Sequence, residues 1–373
     1  MTQSFSPGEP APWFYAATLG GNPRYAFNTV AGRWVVMLFL GSATAPGSQE
    51  ALGLLRSHRA LFDDYNACFF GVTVDPADER TGVIAQQMPG IRWFLDYDRA
   101  VSTLYSAVQP NGDAASYQPH WLLLDPMLRI RGRASLANGA ALMAELGQLL
   151  AAPPEVPSAP VLVVPGVLQP DLCRHLIDLY EKNGGEDSGF MREENGITVE
   201  RRDYQHKRRF DYHLDDQRLI ATLKSRLSKA LQPMIQRAFQ FDATRIERFL
   251  VARYDSAHAG HFRAHRDNTT KGTAHRKFAC TINLNAEEYE GGDLAFPEFG
   301  ARTYRAPTGG AVVFSCSLLH EARPVTAGQR YAFLPFFYDD DGARIRERNL
   351  AYVAPELQDY RSGLPPEDSP AEG

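Results

Sequence analysis

A proline-rich break near the middle of the chain constrains the fold more than any other feature. Residues 151–160 contain four prolines and little that could pack in a core, so they are expected to be an extended linker. Pro, Glu, Ser, Asp and Gly dominate the C-terminus, which is typical of a mobile tail. We therefore predict a first domain over 1–152, a linker over 153–160, a second domain over 161–354, and a flexible tail over 355–373.

The first half alternates strand and helix patterns. Residues 34–40 and 68–74 are apolar runs typical of buried strands, and residues 49–64 between them have helical periodicity. A hairpin is predicted over 121–130 and a closing helix over 138–150. This order predicts an α/β domain.

The second half places helices first and strands afterwards. Asp171 is predicted to cap a short helix, and a longer helix is predicted from Asp215 to about Ile235. From Arg245 onward, short apolar runs recur between Gly, Pro and Asn residues. Many short strands joined by such turns indicate a sandwich or barrel.

Composition and charge exclude several classes of protein. Hydrophobic residues make up 44% of the chain and charged residues 22%, as in an ordinary globular protein. The net charge of −5 gives no global attraction to nucleic acid or to an anionic membrane. No leader pattern and no 18-residue apolar stretch is found. We expect a cytoplasmic protein with neither a nucleic-acid nor a membrane partner.

The cysteines form no recognisable framework. There are four, none in a CxxC pair, which argues against both disulfides and a zinc site. All are predicted to be buried and inert, namely Cys68, Cys173, Cys280 and Cys316.

Two His-x-Asp triplets occur, and a chain with 10 His and 44 Asp or Glu residues has about one His-x-Asp or His-x-Glu triplet by chance, so context must decide between them. His213 and Asp215 lie where the longer helix begins, which suits a helix cap. His265 and Asp267 lie at a strand end, where side chains two residues apart can point to one side.

A third ligand and an anion-binding residue follow further along the chain. His320 closes the apolar run 311–320, and Arg330 opens the next strand. Two imidazoles and one carboxylate bound on one face leave three positions open on a non-haem Fe(II). An arginine can grip a co-substrate carboxylate with two hydrogen bonds.

Several short motifs occur in a fixed order between Val164 and Tyr338. They are Val164-Pro-Gly, Arg253-Tyr254, His261-Phe262-x-x-His265-x-Asp267-Asn268, Asn283-Leu-Asn285, Gly291-Gly292-Asp293, Pro307-x-x-Gly310, Phe314 with His320-Glu321, Pro324-Val325-Thr326 and Gly328-x-Arg330-Tyr331. This series resembles the 2-oxoglutarate and Fe(II)-dependent oxygenases of the prolyl 4-hydroxylase type. The resemblance implies a double-stranded β-helix, or jelly roll, with supporting helices.

The resemblance also implies residue roles and cofactors. His265, Asp267 and His320 would hold Fe(II), while Arg330 would pair with the distal carboxylate of 2-oxoglutarate. Tyr254 and Asn283 would donate hydrogen bonds to the same co-substrate, although close relatives often have tyrosine at the second position. O2 is the other co-substrate, and ascorbate is an additional cofactor that the family allows. The carboxylate of Asp267 distinguishes the chain from halogenating relatives, so hydroxylation is expected.

Three functions stay open at this point. The first is hydroxylation of prolyl or other residues in a protein or peptide, and the second is hydroxylation of a small molecule such as an amino acid. The third is a binding or redox module with an inert barrel, which the intact residue set disfavours. Relatives that repair nucleic acid have a different pattern from the one found over 331–338. The basic stretch 201–209 is either a solvated loop or a mobile lid over the substrate.

The first half resembles peroxiredoxins of the thioredoxin superfamily. The similar segments are 8–12, 35–40, 44–51, 72–75 and 122–126. Ser48 occupies the position of the peroxidatic cysteine, so no peroxidase activity is expected. Pro119 would match the cis-proline of that superfamily. This half would capture substrate, form the contacts of a homodimer, or have only a structural role.

Overall fold

The computed structural model describes residues 5–111, 114–153 and 157–355. Residues 154–156 of the predicted linker and 356–373 of the predicted tail lie outside the described residues. The chain divides into two compact units. One comprises Met1–Pro157 with Pro297–Ala301, and the other comprises Ser158–Phe296 with Arg302–Gly373.

The first unit is built on a seven-stranded sheet with strand order β2-β1-β5-β4-β3-β8-β9. Its strands, with the separate hairpin β6–β7, are β1 (Tyr15–Thr18), β2 (Tyr25–Ala26), β3 (Trp34–Gly41), β4 (Ala67–Thr73), β5 (Ile91–Leu95), β6 (Val108–Asn111), β7 (Ala114–Tyr117), β8 (His120–Leu124) and β9 (Ile130–Ser135). Its helices are α1 (Ser48–Ser57), α2 (Pro76–Thr81), α3 (Ala100–Leu104) and α4 (Gly139–Ala151). Strands β3, β4 and β5 are parallel. The predicted α/β organisation is confirmed.

Two local predictions for this unit are wrong. The helix predicted over 49–64 ends at Ser57. Asp63 accepts hydrogen bonds from the backbone N–H groups of the three residues from Tyr65 to Ala67, which holds a loop instead of a helix. Within the described residues the cis peptide bond precedes Pro89 and not Pro119. A loop proline alone does not determine the isomer, since trans is the more stable form.

The second unit has four α-helices within its described residues. They are α5 (Pro170–Asn183), α6 (Gln217–Ala230), α7 (Gln232–Phe239) and α8 (Asp340–Arg348). The cap prediction for Asp171 is wrong, because α5 begins one residue earlier with proline and its cap position is Gln169. The longer helix that the sequence predicts as one element is two helices in the structure, divided at Leu231. Pro233 cannot donate the next helical hydrogen bond, and its ring crowds the preceding turn.

The strands of the second unit form two main antiparallel sheets. A ten-stranded sheet contains β10 (Leu162–Val164), β11 (Glu186–Asp187), β15 (Phe210–His213), β16 (Arg245–Glu247), β17 (Leu250–Asp255), β19 (Phe278–Asn283), β20 (Tyr289–Gly291), β23 (Ala311–Ser315), β25 (Val325–Phe333) and β26 (Phe336–Tyr338). A five-stranded sheet contains β14 (Lys207–Arg208), β18 (His261–His265), β21 (Leu294–Ala295), β22 (Thr303–Tyr304) and β24 (His320–Ala322). A separate hairpin is formed by β12 (Phe190–Glu194) and β13 (Ile197–Arg201).

Alternation along β17 shows how the sheets are covered. Val251 belongs to the core formed with helices α5, α6 and α7. Its neighbours Ala252 and Tyr254 instead pack with Phe262 and Ala322 of the smaller sheet. The helices therefore cover one face of the large sheet, and the other face meets the second sheet, as in a double-stranded β-helix.

Among the described helices, none is both long and apolar enough to span a membrane.

Candidate active site

Strand pairing brings the three predicted metal ligands together. His265 ends β18 and lies directly opposite His320, which begins β24. Asp267 follows two residues after His265, with one carboxylate oxygen 3.5 Å from His265 Nε2 and the other 3.3 Å from His320 Nε2. One ligand atom from each residue lies within 4.8 Å of the others. This is the spacing of a metal-binding cluster.

Backbone hydrogen bonds fix the orientation of both imidazoles. His265 Nδ1 lies 2.7 Å from the carbonyl oxygen of Arg263, and His320 Nδ1 lies 3.0 Å from that of Leu318. With Nδ1 donating to a carbonyl, Nε2 keeps its lone pair, and in both residues this atom faces Asp267. The ring of Phe262 stacks on His265 at 3.5 Å between centroids and restricts its rotation.

The local electrostatics favour the ligand forms that bind a metal. Burial, with the nearby charge of His320, lowers the pKa of His265 to about 4, so this imidazole is neutral at pH 7. Burial alone would raise the pKa of Asp267, but interactions with both histidines outweigh it and hold the pKa well below its usual range. A neutral imidazole and an ionised carboxylate are the states that coordinate metals. Two nitrogen donors and one oxygen donor suit Fe(II).

Arg330 is the most unusual charged residue of this unit. It lies on β25, is only 2% exposed, and forms no ion pair with any described residue. Its Nε and Nη1 atoms are buried without a hydrogen-bond partner in the described chain. Its guanidinium lies 5.0 Å from the ring centroid of Tyr254. Burying a charge without a partner costs free energy, so the surroundings of Arg330 favour binding of an anion.

Tyr254 lies between this arginine and the three predicted metal ligands. It is the strand partner of Arg330, and it packs in the same cluster as Phe262, which stacks on His265. Packed side chains therefore link Arg330 to the ligand His265 between the two sheets.

Asn283 is buried on β19, and its amide Nδ2 donates to the carbonyl oxygen of Ala306 at 2.7 Å. Its Oδ1 atom has no partner among the described residues. One amide hydrogen is therefore already engaged, and donation to a co-substrate stays a prediction for this residue.

The end of the basic stretch 201–209 is neither a solvated loop nor a lid, while the role of its exposed first part stays a prediction. Arg201 and Arg202 are exposed, but Lys207 and Arg209 are buried. Strand β14 pairs with β18, so the end of the stretch is part of the barrel. A basic run indicates a solvated segment only when no buried acceptors are available, and here Ser188 and Asp211 supply them.

The remaining histidines lie outside the ligand cluster. His258 is exposed near Asp255, His261 contacts the backbone carbonyls of Ala259 and Gln205, and His275 bonds Glu247 in a buried network. His213 ends β15, and Asp216 rather than Asp215 caps α6 through the backbone N–H groups of Arg218 and Leu219.

Gly292 leaves room for the side chain of Arg330, a role that the sequence motif alone did not reveal. Its φ is +68°, and a Cβ placed there would lie 2.9 Å from Val325 Cγ2 and 3.2 Å from Arg330 Cδ. Only glycine adopts this backbone conformation without strain and also leaves room for the arginine stem.

We expect Gly292→Ala to weaken 2-oxoglutarate binding, because the new methyl group displaces Arg330. Gly196→Ala is a matched control with φ of +79° and nothing within 4 Å of the added Cβ. Both variants should lose about 1 kcal/mol of stability from the left-handed backbone. Only Gly292→Ala should change the Kd for 2-oxoglutarate in an anaerobic titration. Equal Kd values for the two variants would contradict the assigned pocket.

The second unit combines a fold like a double-stranded β-helix with a His-Asp-His cluster that could hold a metal ion. Residues 249–338 match the sequence model of the 2OG-Fe(II) oxygenase superfamily. Residues 7–133 match that of the AhpC/TSA family, in agreement with the α/β first unit. The chain thus combines a thioredoxin-like fold with a fold like that of the 2OG-Fe(II) oxygenases, and the predicted fold class and family resemblance are confirmed.

Known proteins resemble separate parts of the chain. A PKHD-type hydroxylase from Verminephrobacter eiseniae is 34% identical over 111 residues, which are 27% of this chain and 48% of that protein. The chain therefore spans about half the length of this curated relative. A prolyl-4-hydroxylase structure from Pseudomonas putida has 16% identity and a TM-score of 0.37, covering 48% of this chain and 93% of its own. A peroxiredoxin Q variant from Xanthomonas campestris has 20% identity and a TM-score of 0.32, covering 37% and 91%.

The first unit lacks the group that peroxide reduction requires. Ser48 begins α1, is fully buried, and donates a hydrogen bond to the carbonyl oxygen of Ser42 at 2.8 Å. Cys68 is buried on β4, and burial raises the pKa of its thiol to about 12. All four cysteines are free and buried, as the sequence predicted.

We expect the protein to consume no hydrogen peroxide with a thiol reductant, because neither Ser48 nor Cys68 supplies a thiolate at pH 7. The measurement is peroxide loss by the wild type compared with a Cys68→Ser control. Rapid turnover that disappears in the control would show that Cys68 has become the reactive thiol.

Proposed function

We propose that the protein is a 2-oxoglutarate and O2-dependent hydroxylase that uses a non-haem Fe(II). The observation that carries the proposal is the buried Arg330, without a hydrogen-bond partner for Nε or Nη1 in the described structure, linked through Tyr254 and Phe262 to a His-Asp-His cluster. A metal-binding cluster alone fits many enzymes. A cluster beside an anion site fits a reaction with an anionic co-substrate.

The strand pairing of the two sheets supports the proposed residue roles. His265, Asp267 and His320 hold Fe(II), and Arg330 binds the distal carboxylate of 2-oxoglutarate with Tyr254 as a neighbouring donor. When bound, the iron, 2-oxoglutarate and O2 supply the oxidising power for hydroxylation. The chain positions both carboxylates of the co-substrate and excludes water through the apolar contacts between the sheets.

The substrate class we favour is a prolyl or other residue of a protein or peptide. The PKHD-type relatives and the prolyl 4-hydroxylase-like order of motifs support it. An amino acid or another small molecule is the second candidate, because nothing in the cluster itself requires a polypeptide. An inert barrel is the least favoured function, since the metal ligands and Arg330 are all present.

A succinate assay distinguishes these candidates. Purified protein with Fe(II), 2-oxoglutarate and O2 is incubated with prolyl peptides, free amino acids or cell lysate, with His265→Ala as the blank. Substrate-dependent succinate from peptides supports the favoured class, and succinate from free amino acids alone supports the second. If no substrate raises succinate above the blank, the hydroxylase proposal fails.

Further properties are proposed on narrower grounds. Four free, buried cysteines suit a reducing compartment, which supports a cytoplasmic location. Ascorbate would serve as a reductant, and addition of it to the succinate assay tests this.

The division of the chain near residues 157 and 158 supports separate domains over 1–152 and 161–354. A homodimer would be detected by sedimentation.

A further inference from the structure

Tyr254 lies between two arginines, Arg330 on β25 and Arg209, the residue that immediately precedes β15. Strand β17 pairs with β25 so that Tyr254 is opposite Arg330. On its other side β17 pairs with β15 so that Phe210 is opposite Arg253. Continuing that register by one residue places Arg209 opposite Tyr254. The guanidinium groups of Arg209 and Arg330 lie 5.9 Å and 5.0 Å from the tyrosine ring centroid.

Arg209 is held in a fixed orientation. Its Nη2 atom donates to Asp211 Oδ2 at 2.6 Å and approaches Ser188 Oγ at 3.3 Å. The side chains of Arg209 and Asp211 are only 4% and 6% exposed. Two such buried groups keep one geometry, because breaking the pair would leave an isolated charge away from water.

The other end of the guanidinium is directed at the tyrosine hydroxyl. Arg209 Nη1 lies 3.5 Å from Tyr254 Oη, the long end of a hydrogen bond. A guanidinium donates hydrogen bonds and accepts none, so the hydroxyl oxygen must accept here. The hydroxyl hydrogen then remains to be donated, and no described residue accepts it. Polar contacts of this kind often shorten when a ligand binds.

We propose that Arg209, anchored by Asp211, is a positioning residue that directs the hydroxyl hydrogen of Tyr254 toward a carboxylate of 2-oxoglutarate. The inference rests on the proposed function. Tyr254 and the unpartnered Arg330 then present two donors to the same anion, and Arg209 sets the direction of one without touching the co-substrate.

The other cations near this pair, Lys207 and Arg248, do not fill the same role. Lys207 bonds Ser188 and the carbonyl oxygen of Gly189. Arg248 lies 3.6 Å from Asp211 and stacks over Phe336. Neither has a hydrogen bond to Tyr254, so among the described arginines and lysines Arg209 alone bonds the tyrosine hydroxyl.

A double-mutant cycle tests whether Arg209 acts through Tyr254. The charge-neutral pair Arg209→Gln with Asp211→Asn is combined with Tyr254→Phe, and the Kd for 2-oxoglutarate is measured by anaerobic calorimetry with Fe(II) present. Tyr254→Phe alone, and the Arg209 and Asp211 changes alone, should each weaken binding about 3- to 30-fold through the loss of one hydrogen bond. In the Tyr254→Phe background, the Arg209 and Asp211 changes should have no further effect. Arg201→Gln, an exposed change in the same basic stretch, serves as the control.

The outcomes separate this inference from the proposed function. Suppose the wild type binds 2-oxoglutarate but the Arg209 and Asp211 changes do not weaken that binding, or weaken it equally in the Tyr254→Phe background. Either result overturns the positioning role and leaves the proposed function intact. Wild type that binds no 2-oxoglutarate overturns both. If the double substitution does not fold by circular dichroism, Arg209→Lys replaces it. That change keeps the charge beside Asp211 but shortens the reach, so the same loss confined to proteins with Tyr254 is expected.

Discussion

Replacing Arg330 with alanine should raise the Kd for 2-oxoglutarate by about 30-fold or more. The guanidinium is almost fully buried and has no partner in the described chain, so its loss removes the charge-assisted contact with the co-substrate. Truncation of one partner of a buried ion pair costs roughly 2–5 kcal/mol, which corresponds to about 30- to 5,000-fold in affinity. Anaerobic calorimetry measures the binding constant, and the KM for 2-oxoglutarate should rise with it.

Arg323→Ala is the matched control for this experiment. Arg323 is exposed between β24 and β25, and its contact is with Glu321 at 3.5 Å. Exposed pairs contribute little, so affinity for 2-oxoglutarate should stay within about twofold of wild type. An Arg330→Ala protein with unchanged 2-oxoglutarate dependence would refute the carboxylate-binding role.

Removal of a single metal ligand should have an equally large effect. His265→Ala and His320→Ala each leave two of three donors, and loss of outer-shell partners alone costs 10- to 100-fold in metal affinity. We expect Fe(II) affinity to fall by about 100-fold or more, with loss of succinate formation. Stoichiometric anaerobic titration of Fe(II) measures the effect.

His213→Ala is the control for the ligand variants, because His213 belongs to the second His-x-Asp triplet of the chain. It ends β15, where the neighbouring helix is capped by Asp216. Its removal should leave Fe(II) affinity unchanged. Fe(II) binding that is retained in His265→Ala, or lost in His213→Ala, would show that the metal binds at a different site.

The fold class could be predicted because the two halves differ in the order of their elements. In the first half, buried strand runs alternate with helices, and in the second, helices precede many short strands. The ligand cluster could be predicted from context. His265 and His320 lie at strand ends, and the antiparallel register then places one opposite the other.

Other features depend on tertiary contacts that the sequence does not show. The register shift between Phe262 and His265 allows their rings to stack although two residues lie between them. The burial of Arg209 depends on Asp211, and charge counting along the chain treats both as surface residues. Space beside Arg330 depends on Gly292, whose neighbours come from a distant strand.

Anaerobic addition of Fe(II) and 2-oxoglutarate to the purified protein, followed by visible spectroscopy, tests the central claim most directly. The arrangement of His265, Asp267, His320 and Arg330 predicts a weak charge-transfer band in the wild type. The band should be lost in His265→Ala and His320→Ala and should require far more 2-oxoglutarate in Arg330→Ala. A wild type without the band, or a band that survives in both histidine variants, would contradict the assignment.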